Sequence, residues 1–143
     1  MRLDKLCSIE FRYLDAHFPK PYADKSGPGW GIGEGTVSGE RLSGTITWSN
    51  HPSSRSDGVT LPDFRGVIST ADGAKVLVSL TGRTVFVPRG NETVGRQLLM
   101  ALFESDDEQY AWLNSEVGIA EGVYDPQNPP GRTEVYLCTN ELL

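Results

Sequence analysis

From Leu6 to Asn140 this chain keeps returning apolar residues to every second position, in short runs stopped by glycine, proline or Asp-Gly. That rhythm leaves little choice of fold. A side-chain period of two belongs to strands with one buried face. Runs interrupted so often cannot be long helices. Sixteen glycines and nine prolines in 143 residues supply the turns.

Taken in order, Leu6–Leu14 places Cys7, Ile9, Phe11 and Tyr13 on one face and Ser8, Glu10 and Arg12 on the other. Asp15–Gly29 carries Pro19, Pro21, Gly27 and Pro28, and predicts an irregular excursion, either a surface loop or a flap over a barrel end. Trp30–Val37 contains Gly31, Gly33 and Gly35. Its G-x-G-x-G spacing is not the G-x-G-x-x-G of a dinucleotide fold, and no amphipathic helix follows. Glycines in a strand suit strong coiling or close backbone approach. Leu42–Ser49, Asp57–Thr70 with a break near Pro62, Lys75–Arg83 with a continuation stopped at Pro88, Val117–Tyr124 and Thr133–Asn140 read as further strands. Thr93–Glu104 fits a helix or a buried strand by period alone, and the strands around it decide for a strand. Glu108–Asn114 predicts a short helical turn or a loop. The sum is an all-β, single domain over residues 1–143: an antiparallel up-and-down β-barrel of roughly eight to ten strands.

The formal charge of −6 and pI near 4.8 argue against a nucleic-acid partner. No apolar run has the length of a membrane span or a signal peptide, so a cytoplasmic protein with no membrane partner is expected. Cys7 and Cys138 are the only cysteines and have no metal-binding spacing, and they are expected to be reduced thiols rather than a bridge between the terminal strands. His17 and His51 form no metal-binding pattern, so no metal is expected. No G-x-S-x-G elbow is present. No cofactor is expected either.

One turn gathers chemistry. Trp48, Asn50, His51, Arg55 and Asp57 fall within ten residues between two strands. An aromatic plate beside an amide, an imidazole, a guanidinium and a carboxylate suits the mouth of a ligand-binding barrel. Arg55 could hold an oxyanion, and Asp57 or His51 could move a proton. The same residues also describe a plain polar turn whose Arg and Asp pair with each other. Arg65 and Arg83 sit among apolar strand neighbours and face either solvent or a pocket. Glu121 shares an alternating face with Val117, Ile119 and Val123. It is a buried acid–base group if that face is interior, and a solvent group if Gly118, Ala120 and Gly122 are interior instead. Trp112 and Asn114, in Y-A-W-L-N, either line an opening or plug a barrel end.

The motifs G-x-V-S-G-x-R-L-x-G-T (Gly35 to Thr45), R-x-D-G-V-x-x-P (Arg55 to Pro62), G-x-I-x-T-x-D-G-A (Gly66 to Ala74) and Y-A-W-L-N…G-x-A-E-G (Tyr110 to Gly122) resemble the small-barrel family catalogued as domain of unknown function 3237. The resemblance runs from about Phe11 to the C-terminus. It implies a calycin-like (lipocalin-like) antiparallel barrel and leaves the biochemical role open. The chain departs from the family at W-S-N-H-P-S-S-R-S-D-G, where many members have a Gly- and Pro-rich segment.

Three functional readings follow. The first is a cofactor-independent enzyme of isomerase, cyclase or lyase type acting on a small aromatic or carbonyl-containing metabolite. Its catalytic groups would be Arg55, Asp57, His51 and Glu121, with Trp48, Asn50, Arg65, Arg83, Trp112 and Asn114 binding substrate. The second is a non-catalytic carrier or sensor of a small apolar acid. The third is a structural barrel filled by its own side chains. A homodimer is expected from the frequency of twofold assemblies.

Overall fold

The computed structural model describes residues 1–143. Eight antiparallel strands close into a barrel in which each strand pairs with the next one along the chain and the last with the first. They are β1 (Arg2–His17), β3 (Trp30–Ser38), β4 (Gly44–Asn50), β7 (Asp63–Thr70), β8 (Lys75–Arg89), β9 (Glu92–Glu104), β10 (Gly118–Tyr124) and β11 (Gly131–Thr139). Closure between β1 and β11 starts at Arg2↔Thr139. Closure leaves no open edge in the barrel wall. Three two-residue strands, β2 (Gly27–Pro28), β5 (Ser53–Ser54) and β6 (Thr60–Leu61), form a ribbon attached at Thr60↔Thr84. The up-and-down order matches the sequence reading, as does the strand at Thr93–Glu104. No helix is long and apolar enough to cross a membrane.

Two extents differ from expectation. β1 continues to His17, because after a bulge between Tyr13 and Asp15 it stays paired with Trp30–Ile32. β8 passes through Pro88 to Arg89 in a hairpin with β9, turning at Gly90 with φ 63°. Pro88 lies near the hairpin tip, where its missing N–H removes little from the ladder.

The alternation decides what lies inside. Ile9, Phe11, Val37, Ile46, Trp48, Phe64, Ile68, Val76, Val78, Leu80, Leu99, Phe103, Val135 and Leu137 are buried in one core. One end is plugged by a 3₁₀ turn (Ala111–Ser115) whose Leu113 is fully buried. Trp112 packs half-buried at that end, with the Arg41 guanidinium 3.8 Å above its ring.

Across the barrel's waist lies an aromatic layer. Trp48 meets Tyr13, Phe64 and Phe11 edge-to-face at 4.7, 5.4 and 6.0 Å. The closest contact has a backbone cause. Gly33 pairs with Tyr13 on one side and with Trp48 on the other, so the two rings meet over a residue that has no side chain. A Cβ at Gly33 would lie 2.1 Å from Trp48 Cζ2 and 2.4 Å from the Arg12 carbonyl oxygen. Gly131 does the same for Phe11, whose ring would meet a Cβ at 2.3 Å.

On the outer wall Glu134 joins β1 to β11. Ser8 donates to it, and Lys5 and Arg132 pair with it. Desolvation opposes its ionisation, but those three partners outweigh it and hold the carboxyl at about 2.

Two outcomes follow for stability. Gly33→Ala should lower unfolding free energy by about 1–3 kcal/mol through overpacking, read from urea melts. An unchanged midpoint would show that both the Trp48 ring and the Arg12 carbonyl give way freely. Glu134→Gln should lower stability by about 1–2 kcal/mol near pH 7. A depressed carboxyl stabilises the fold above its unfolded-state value and ceases to do so as pH falls towards 2. The gap between wild type and variant should therefore close on acidification, and a gap constant from pH about 7 to about 3 would contradict the assignment.

Candidate functional site

Below the aromatic layer the barrel is filled. Beside Trp48 the interior keeps a cavity of only ≈ 30 Å³, bounded by residues such as Ile9, Phe64, Leu99 and Thr133. That is room for about one water. Space for a ligand begins above the layer. At the open end a second cavity of ≈ 190 Å³ is bounded by Tyr13, Asn50, Thr84, Gln97, Phe86 and Tyr124 from the barrel wall. Phe18, Pro19, Lys20, Lys25, Pro28 and Gly29 from the β1–β3 connection close its side, with Pro52, Ser54, Thr60 and Pro62 of the β4–β7 connection opposite. The segment after His17 thus lies across the barrel end as a flap, tied down by Gly27–Pro28 pairing with β5 and by the Gly29 N–H donating to the Pro52 carbonyl at 2.8 Å.

The polar groups of this cavity are held in a chain with a direction. Asn50 is buried at 4% exposure, where its amide must be satisfied. Its Oδ1 accepts from the Asp63 backbone N–H at 3.0 Å, which orients the amide. Its Nδ2 therefore faces Tyr13 and donates to the phenol oxygen at 3.0 Å. Tyr13 accepts at its oxygen, so its own proton is left to donate into the cavity. Burial is the main cause that pushes the Tyr13 phenol up to about 12; the Asn50 hydrogen bond works against it and nearby Tyr124 adds to the rise. At neutral pH Tyr13 is a neutral hydrogen-bond donor and not a phenolate base. Lower in the same wall, Gln97 Nε2 donates to Thr84 Oγ1 at 3.1 Å, and both residues are buried. The Trp48 indole N–H is buried without a hydrogen-bond partner.

The structure spreads the sequence-derived candidates over several places. Asn50 lines the mouth cavity and Trp48 forms part of the floor beneath it. Arg55 and Asp57 lie outside, bound to each other through Nε–Oδ1 at 3.1 Å and Nη2–Oδ2 at 2.6 Å. Their side chains are 47% and 54% exposed. The hydrogen bond from Arg55 leads the effects that hold Asp57 below the usual carboxyl range, the opposite of what a base needs. His51 is exposed, and its backbone N–H donates to the Asp63 carbonyl at 3.0 Å. Arg65 faces outward beside Asp63, and Arg83 outward with its guanidinium on the Gly82 carbonyl. Glu121 is also outside, 3.5 Å from the Tyr136 hydroxyl, because Gly118, Ala120 and Gly122 take the inner face. Trp112 and Asn114 stand at the plugged end, where Asn114 bonds both the N–H and the carbonyl of Ser105.

Sequence reasoning grouped Tyr13 with Cys7, Ile9 and Phe11 on one face of the strand, which the structure turns inward, but gave it no role. A signal was present: Gly31 and Gly33 stand opposite that strand. A Cβ at Gly31 would lie 2.5 Å from the Tyr13 ring. Lys20 and Lys25 were also passed over, because they fall in a segment without periodicity.

The Asn50–Tyr13 arrangement makes a direct prediction. Asn50→Leu removes the amide that favours the phenolate, so Tyr13 should titrate at still higher pH than in wild type. ¹³C-tyrosine NMR titration reads this, and a fall or no change would show that Asn50 does not donate to Tyr13.

The chain is similar in fold to solved structures from several organisms. A protein of unknown function from Clostridium acetobutylicum aligns with TM-score 0.78 at 17% identity over 97% of both chains. A beta-barrel-like protein from Acinetobacter baumannii aligns with TM-score 0.76 at 17% identity, covering 95% of this chain and 94% of that one. An enzyme from Penicillium herquei aligns with TM-score 0.71 at 21% identity, covering 95% and 92%. At such identities the likeness concerns the fold. No curated protein matches the sequence. The family model described as "Protein of unknown function (DUF3237)" matches residues 20–138, and the chain belongs to that family.

Proposed function

We propose that the mouth cavity binds a small carbonyl-bearing acid and that the protein promotes proton transfer next to that carbonyl without a cofactor. The observation that carries the reading is the orientation of Tyr13. Asn50, itself fixed by the Asp63 N–H, occupies the phenol oxygen and leaves the phenol proton for a ligand atom. A donor held in place before the ligand arrives stabilises an oxygen on which negative charge develops. The carbonyl oxygen of the ligand sits against Tyr13, and a neighbouring carbon gives up its proton to a solvent base, hydroxide or a buffer anion, that reaches it through the open rim. The resulting enolate is held by Tyr13 until a proton returns, at the same carbon or at another. Lys20 and Lys25 on the flap side supply positive charge for an acid group.

The Arg55–Asp57 pair is not part of this reading, because each satisfies the other in solvent. The enzyme from Penicillium herquei shares the fold, which makes catalysis on such a barrel plausible without indicating the reaction. The two unpaired thiols support a cytoplasmic setting.

The test is a thermal-shift and NMR screen of small keto acids, enol acids and phenolic acids in D₂O, on wild type and Tyr13→Phe. Loss of one hydrogen bond should weaken binding of any hit about tenfold. Wild type should also speed deuterium incorporation next to the ligand carbonyl. Equal binding and exchange by both proteins would remove Tyr13 from the site. Weakened binding by the variant with no exchange by either protein would make the barrel a carrier rather than an enzyme.

A further inference from the structure

The outer face of β9 carries an unusual pattern. Reading only its outward positions gives Arg96, Leu98, Met100, Leu102 and Glu104. Three large apolar side chains stand in a row with 57%, 47% and 38% exposure. A basic residue closes one end and an acidic residue the other. The row is a palindrome in hydrophobicity about Met100 and is antisymmetric in charge. Neighbouring β8 repeats the symmetry at its centre and ends, but not between them, where Ser79 stands beside Leu102 and Arg83 beside Leu98. Leu77 pairs with Glu104 and Val85 with Arg96, so two exposed apolar residues flank the two charged ends, while Thr81 pairs with Met100 at the centre.

We propose that this face binds a second copy of the chain across a twofold axis that runs parallel to the sheet, midway between the two faces and perpendicular to β9, over Met100. Such an axis lays β9 on the other copy's β9 in the opposite direction. Met100 then meets Met100, and Leu98 meets Leu102 of the second copy, twice. Arg96 falls over Glu104 of the second copy, also twice, and Val85 over Leu77. The charges favour this axis over the other choice parallel to the sheet. A twofold axis running along β9 would set Arg96 against Arg96 and Glu104 against Glu104. Within one chain the two cannot meet, since eight residues of strand separate them by about 26 Å. Neither takes part in an ion pair of its own chain.

Packed sheets cross at about 30°, an offset that the long Arg and Glu side chains span. The patch measures about 27 by 10 Å over these eight residues and two strands. That is small for a specific interface, so dissociation on the order of micromolar is expected.

Sedimentation velocity on the intact chain at rising concentration tests this, with circular dichroism confirming that each variant is folded. Wild type should move from monomer to dimer, and Met100→Glu, which sets two carboxylates at the axis, should stay monomeric. Arg96→Glu and Glu104→Arg should each weaken the dimer about tenfold at low salt. The double variant R96E/E104R exchanges the charges and should restore it. A monomer at every concentration, a trimer or larger species, or a Met100→Glu variant that dimerises like wild type would overturn the proposal. A double variant no stronger than the singles would overturn the Arg96–Glu104 register.

Discussion

Trp48 lies across the barrel where Gly33 leaves room for it, and much else depends on that accommodation. An eight-stranded barrel has an interior about one layer of side chains wide. A tryptophan fits at this level only if the strand beside it contributes no side chain there. With Gly33 beneath, Trp48 reaches Tyr13, Phe11 and Phe64 edge-to-face and divides the interior in two. Below it the core is close-packed and ends at Leu113. Above it the inward positions change character, to Asn50, Thr84 and Gln97, and the space opens.

That change of character links fold to function. Polar groups at a buried level need partners, and here, apart from the Trp48 indole N–H, they satisfy one another in a fixed sense. The Asp63 N–H sets Asn50, Asn50 sets Tyr13, and Tyr13 faces the cavity as a neutral donor because burial keeps its phenol protonated. The site is built on strand residues, whose positions the barrel fixes, while the flap and the β2–β5–β6 ribbon supply the side walls and the positive charge. A rigid donor beneath an adjustable cover suits a ligand that must enter, be oriented and leave.

The barrel was legible because its cause is local: alternation and turn residues are written position by position. Even the ambiguous Thr93–Glu104 yielded to its context. The site was less legible for a physical reason. Period two says that Glu121 and Ala120 face opposite ways, but not which is inside. The narrow interior settles it in favour of the small residues. Arg55 and Asp57 looked like a catalytic pair because they are near in sequence. That nearness lets them close on each other across a tight turn in solvent. Asn50 was noticed as a polar residue in a turn, yet its partner Tyr13 lies 37 positions away, brought to it through the intervening glycine strand. A tyrosine on an apolar face reads as core until the register beside it is known.

The measurement that bears most directly on this account is a crystal structure of the protein with a bound carbonyl acid. The account predicts the ligand above Trp48, with one of its oxygens within about 3 Å of the Tyr13 hydroxyl and its acid group toward Lys20 and Lys25. A ligand seated instead at the Arg55–Asp57 turn or on the outer wall, with Tyr13 untouched, would contradict it.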